Sequence, residues 1–198
     1  MKLYYSPGAC SLADHIALIE AGLPYELVKV DLKAKQTEDG GDYEAVNPKG
    51  YVPALALDDG GVLTENIAVL SYIAERSGSL MPSGGLQRIR VLEATAFVST
   101  ELHKNFKPFF NPAASEAEKD EAGALLGKRF GAVDAMLDDR GFLLGDEPTI
   151  ADCYLFVMLI WAKKNELHLP ERLRGFFERF RHRPSVGRAM TEEGLAIA

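Results

Sequence analysis

Positive charge is in short supply in this chain. Its 22 Lys and Arg stand against 29 Asp and Glu, a net charge of −7. That balance excludes a general nucleic-acid binder, whose affinity rests on cationic contacts to phosphate. The one basic stretch, RFRHRPSVGR, reads as a solvated helix face and turn. Cysteine is scarcer still: there are two, at positions 10 and 153. Neither a CxxC pair nor a metal-ligand spacing appears, so no disulfide framework and no metal site is expected. Long apolar runs are missing as well. The longest unbroken one, CYLFVMLIWA, is too short to cross a bilayer and suits a buried helix. The opening MKLYYSPG carries no apolar run of signal-peptide length, and a reducing cytoplasm is the expected setting.

What is present is ordinary globular material, 198 residues with 47% hydrophobic and 26% charged, enough for a well-buried core. Two halves differ in period. In residues 1–77, KLYY reads as a short strand, and Leu12, Ile16, Ile19 and Leu23 recur at helical spacing before Gly22 and Pro24 stop them. Val28, Val30 and Leu32 alternate as a strand does. PALALDDGGVLT reads as two short strands joined at Asp58 to Gly61, and Ile67, Leu70, Ile73 and Ala74 make a helical stripe. The pattern predicts a small mixed sheet flanked by helices. GSLMPSGG, residues 78–85, is a linker by composition, and after it strand signals stop. Residues 86–198 read as all-helical. Ile89, Leu92, Ala96, Ser99 and His103 line one helix face until Pro108, and SEAEKDEAGALLGKRFGAVDAML makes a second long helix. A third begins where Thr149 and Asp152 have the spacing of a capping box.

Chemistry concentrates in a few places. Ser11 and Asp14 form S-x-x-D ahead of the first helical stripe, so Ser11 is the expected N-cap and Cys10 precedes it. The unpaired amides and positive end of a helix favour a thiolate there. Moving a thiol from a pKa of about 8.5 down by two units takes about 2.7 kcal/mol, within reach of a dipole and an amide hydrogen bond. Cys10 is therefore read as functional, whereas Cys153, inside an apolar helix, reads as packing. Pro53 opens a strand, and its X-Pro bond is equally compatible with cis and trans. A cis bond would turn the Val52 backbone toward an extended peptide. Glu65 and Asn66 start the next helix, where an acidic residue suits the dipole with or without a ligand. His103, Lys35 and Lys104 are, by composition, ordinary partly exposed side chains.

Taken together, MKLYYSPGACSLADHIAL, NPKGYVPAL, LTEN, TELHKNFKP and TIADCYLF resemble a bacterial cytosolic glutathione transferase of the beta class, in the same order along the whole chain. The resemblance implies an α/β thioredoxin-like N-terminal domain followed by an all-α C-terminal bundle. It implies transfer of glutathione's thiolate to small electrophilic or hydrophobic acceptors, in detoxification. Glutathione is then a co-substrate and no cofactor is permanently bound. A homodimer is implied, and neither a membrane nor a nucleic acid is a partner.

The resemblance also assigns residues. Cys10 contacts the glutathione sulfur and can form a mixed disulfide with it. Val52, ahead of a cis Pro53, pairs with the cysteinyl unit. Glu65 and the Asn66 amide hold the γ-glutamyl end, and Lys35 binds the glycine carboxylate. His103 is the second catalytic candidate, with Ser99, Thr100, Glu101 and Lys104 as further tripeptide contacts. Thr149 and Asp152 form a structural capping box. Two positions depart from the pattern: Ala96 replaces an asparagine common in relatives, and Asn66 replaces a small residue. Two alternatives stay open, a thiol–disulfide oxidoreductase or dehalogenase working through a Cys10–glutathione mixed disulfide, and a non-catalytic ligand- or partner-binding member of the fold.

Overall fold

The computed structural model of the chain describes residues 1–137 and 141–196. It divides into two compact units, Met1–Ser83 together with Arg183–Ala198, and Gly84–His182.

The first unit is built on a five-stranded sheet in the order β3-β2-β1-β4-β5. The strands are β1 (Lys2–Tyr5), β2 (Glu26–Asp31), β3 (Gln36–Thr37), β4 (Ala54–Ala56) and β5 (Val62–Thr64). β1 runs parallel to β2, and every other pair is antiparallel. Leu3 at the centre faces Leu27 on one side and Leu55 on the other. Helices α1 (Ser11–Glu20) and α2 (Asn66–Ser77) complete the unit with α8 (Pro184–Glu192). Leu12, Ile16, Leu70 and Ile73 are fully enclosed, each such side chain contributing roughly 2 kcal/mol by leaving water. The turn between β4 and β5 closes through Leu57 N–H to Gly61 carbonyl at 2.8 Å, with Gly60 at φ +90°.

Placing α8 on this unit differs from the sequence reading, which put all of 86–198 in the helical domain. The reason is a set of contacts made far apart in sequence. Arg183 grips the Glu20 carboxylate with Nε at 2.5 Å and Nη2 at 2.9 Å, and Ser185 Oγ donates to the same carboxylate. Burial alone would raise Glu20's pKa, but these donors more than offset it and leave it lowered.

The second unit is helical: α3 (Gly85–Phe97), α4 (Lys107–Phe110), α5 (Glu116–Met136), α6 (Ile150–Lys164) and α7 (Glu171–Arg181). Ser115 and Glu118 cap α5 reciprocally. α6 is the central element, enclosed along nearly its whole length, and Cys153 is buried within it. Phe156 stacks on Phe177 at 5.2 Å between ring centres, and Phe176 on Phe180 at 5.3 Å. At the head of α6 the enclosed Asp152 carboxylate accepts from Leu143 N–H at 2.9 Å, Thr149 N–H at 2.8 Å and Thr149 Oγ at 2.7 Å.

The inner face of α3 also differs from expectation. Val91, Ala94, Thr95, Val98, Leu102 and Phe106 face inward, whereas Ile89 is 55% exposed and Leu86 66%. Helix α3 does not continue as a regular helix to Pro108. A π-helical turn at Val98–Leu102 and a 3₁₀ turn at His103–Phe106 follow it, but the mismatch begins earlier: within regular α3 the enclosed residues are Val91, Ala94 and Thr95, on a different face from Ile89, Leu92 and Ala96.

Candidate functional site

Cys10 ends a turn closed by Ala9 N–H to Ser6 carbonyl at 3.0 Å, and it occupies the N-cap position of α1. The expected cap at Ser11 is not formed. Ser11 is buried in the first helical turn, where its Oγ accepts from Ser6 N–H at 3.4 Å. Asp14 is no capping partner either. Its carboxylate is enclosed, and among the described residues neither oxygen has a hydrogen-bond partner. Burial accordingly raises Asp14 well above the ordinary carboxylate range.

The same surroundings overturn the thiolate expectation for Cys10. Burial, followed by the neighbouring Asp14, pushes its thiol up to about 12 against the opposing pull of the Cys10 and Ser11 amides. The helix-end effect is present and loses. Cys10 is a neutral thiol, and its Sγ donates to the Val52 carbonyl at 3.5 Å.

Val52 precedes Pro53 through a cis peptide bond. The backbone leading into it is held by Tyr51 carbonyl, which accepts from Tyr43 OH at 2.9 Å and Asn47 Nδ2 at 2.7 Å. Behind it, Lys35 Nζ reaches Gly50 carbonyl at 2.5 Å.

The start of α2 meets the start of α1, since Asn66 Nδ2 donates to Cys10 carbonyl at 3.4 Å. Immediately before it, Glu65 sits at φ +73°, a region a non-glycine residue rarely occupies and one that collects at binding sites. Its carboxylate accepts from Lys49 Nζ at 2.5 Å and Tyr51 OH at 2.7 Å. Those two donors hold Glu65 below its usual range. Within the first unit, then, Cys10, Val52, Glu65 and Asn66 gather around two helix starts and the bend at Pro53, with Lys35 on the strand side. Sequence reasoning missed Lys49 and Tyr51. Their only signal was their place on either side of Gly50 in the NPKGYVP stretch.

In the second unit the remaining assigned residues fall on the irregular segment after α3. His103 Nδ1 is hydrogen-bonded to Tyr154 OH, and its ring meets Trp161 edge-on at 5.0 Å between centres. Burial lowers the imidazole to about 4, so His103 is neutral at physiological pH. Glu101 pairs with Arg129 at 2.8 Å, and Thr100 Oγ1 donates back to Ala96 carbonyl at 3.0 Å. Ser99 is half-buried and Lys104 exposed. Tyr154 and Trp161 were also missed, because both lie in the apolar run of α6, which reads as packing. Among the described residues no three His, Cys, Asp or Glu side chains are grouped to hold a metal ion.

Comparison with known proteins gives a consistent picture. The glutathione S-transferase N-terminal domain model matches residues 9–76 and the corresponding C-terminal domain model residues 87–182. The chain is 45% identical to glutathione S-transferase GstA of Escherichia coli O157:H7, over 98% of this chain and all of that one. A sphingomonad glutathione S-transferase solved in complex with glutathione superposes with a TM-score of 0.91 at 45% identity, covering 99% of this chain and 100% of the other. A beta-class glutathione S-transferase of Sphingomonas chungbukensis gives the same TM-score at 44% identity and the same coverage.

Proposed function

This chain belongs to the glutathione S-transferase family, and on that premise we propose that it joins the thiolate of glutathione to small electrophilic acceptors in the cytoplasm. The observation that supports this reading is that Cys10, Val52, Glu65 and Asn66 lie together at two adjoining helix starts and the cis bend before Pro53. Glutathione lies there as an extended tripeptide. Its cysteinyl unit pairs with the Val52 backbone, its γ-glutamyl ammonium takes Glu65, its γ-glutamyl carboxylate takes the amides opening α2, and its glycine carboxylate takes Lys35.

At the sulfur, the positive end of α1 and the Cys10 S–H stabilise negative charge. The bound thiol gives its proton to solvent. The thiolate then forms a C–S bond to the acceptor carbon, and the leaving group departs with its electron pair. Cys10 acts as a donor to sulfur. Burial holds the Cys10 thiol well above its ordinary range, so it is protonated at neutral pH, which disfavours a first step by attack of Cys10 on a disulfide.

The test is a substrate panel of aryl halide, epoxide, isothiocyanate and mixed disulfide, run with glutathione on the native protein and on Cys10→Ala. Conjugation by the variant is expected to fall no more than about tenfold, the worth of one weak donor. Loss of conjugation together with disulfide reduction would transfer the chemistry to a Cys10 thiolate. No calorimetric signal with millimolar glutathione would leave only a non-catalytic reading.

The homodimer is proposed on the strength of the apolar side chains that α3 presents outward, Leu86 and Ile89, one turn apart. Leu86→Lys with Ile89→Lys is expected to convert a dimer into a monomer by sedimentation or light scattering. A monomeric native protein at micromolar concentration overturns the assignment.

A further inference from the structure

The end of α8 reaches back to the turn that presents Cys10. Glu193 is enclosed and uses both carboxylate oxygens. Oε2 accepts from the Gly8 amide at 2.9 Å, and Oε1 lies 3.0 Å from His15 Nδ1. His15, fully enclosed in α1, has its other ring nitrogen 2.8 Å from Glu192 Oε2. Glu192 is held in turn by Tyr25 OH at 2.6 Å and Arg188 Nε at 2.7 Å. Gly8 stands at φ +70°, and a Cβ there would meet the Leu195 side chain at 3.6 Å. The carboxylate and the leucine thus bracket the turn two residues before the thiol.

We infer that Glu193 is a positioning residue for the glutathione reaction, fixing the Ser6–Cys10 turn through the Gly8 amide and the His15 ring. The inference rests on the function proposed above. A leucine at 193 would pack α8 equally well, but only an acceptor can hold the Gly8 N–H. The charge also has particular neighbours. Tyr5 of β1 and Asp14 of α1 both feel it, and His15 and Tyr25 complete the ring of titratable groups around the two carboxylates. A shift of the turn moves the amides and S–H that meet the glutathione sulfur, while the sites for its two ends stay in place.

The experiment compares native protein with Glu193→Ala, Glu193→Gln and Glu20→Gln in steady-state conjugation of an aryl halide over neutral and alkaline pH. Labelling of Cys10 by a chromogenic disulfide without glutathione is measured alongside. Glu193→Ala is expected to lower kcat about tenfold, because small misplacements at a reacting centre are expensive. Its rate-limiting ionisation moves to higher pH, the glutathione KM changes little, and Cys10 is labelled faster. Glu193→Gln restores kcat, since its amide oxygen still accepts from Gly8 and its NH₂ donates to an unprotonated Nδ1. Glu20→Gln loosens α8 at Arg183 and Ser185, so it lowers Tm and keeps kcat. Native kcat, pH profile and labelling rate in Glu193→Ala overturn the inference, as does an equal kcat loss in Glu20→Gln. If Glu193→Ala does not fold, Glu193→Asp carries the same expected split. Should the native protein lack glutathione-dependent activity, the function reading fails, and the labelling rates alone still decide whether Glu193 holds the turn.

Discussion

Replacing Asp152 with alanine is expected to lower Tm by about 10 °C. The carboxylate is fully enclosed and takes three donors, two of them backbone amides of Leu143 and Thr149. Alanine leaves those amides buried without acceptors, at about 1–3 kcal/mol each. A total near 4 kcal/mol corresponds to roughly that shift for a chain of this length. Burial raises the Asp152 pKa while the three donors pull it down, and burial prevails. Every neighbouring contact is nonetheless a donation to it, so a neutral acceptor should serve in part. Asp152→Asn keeps one oxygen and should recover about half of the loss. Differential scanning calorimetry of the three proteins decides it. An alanine variant melting within about 2 °C of native would mean that the head of α6 is held by its apolar packing instead.

Removing the charge of Glu65 is expected to weaken glutathione binding more than any other single change in the first unit. An ammonium-to-carboxylate hydrogen bond is worth about 1.5–3 kcal/mol, so Glu65→Gln should raise the glutathione KM roughly 30-fold with kcat nearly unchanged. The native carboxylate is occupied by Lys49 and Tyr51. The ligand's ammonium therefore exchanges with the Lys49 ammonium rather than neutralising a bare charge. Raised salt should narrow the gap between native and variant, because Glu65 and Lys49 are both substantially exposed. Initial rates against glutathione concentration at two ionic strengths measure both effects. An unchanged KM would remove Glu65 from the binding site.

Much of the first unit was legible because its elements announce themselves locally. Leu12 and Ile16 recur at helical spacing and are enclosed, and the Asp58–Gly61 turn joins the strands where its composition says it should. The two-residue β3 was not legible, since two residues carry no period. The place of α8 was hidden for a different reason. Glu20 with Arg183, and His15 with Glu192 and Glu193, are partners across most of the chain, and polar pairs leave no pattern in either segment. On α3 the stripe through Ile89 and Ala96 was plausible as a helix face, but Val91, Ala94 and Thr95 are the residues enclosed, and helical spacing alone does not choose between two such faces. At Cys10 the helix-end argument was sound as far as it went. What it omitted, enclosure and an unpartnered Asp14 one turn on, comes only from three dimensions. Tyr154, the partner of His103, sits in an apolar run where its hydroxyl draws no attention.

The grouping of α8 with the first sheet makes that unit discontinuous, with the whole helical unit inserted between its two pieces. On the ribosome, the sheet and its first two helices emerge early, yet the piece that grips Glu20 and His15 is made only after the helical unit. The helical unit is contiguous and can complete itself while the nascent chain is still attached. The sheet unit must wait for the segment from Arg183 onward. That segment brings Glu193 to Gly8, so the Cys10 turn is completed only after the whole helical unit has been made.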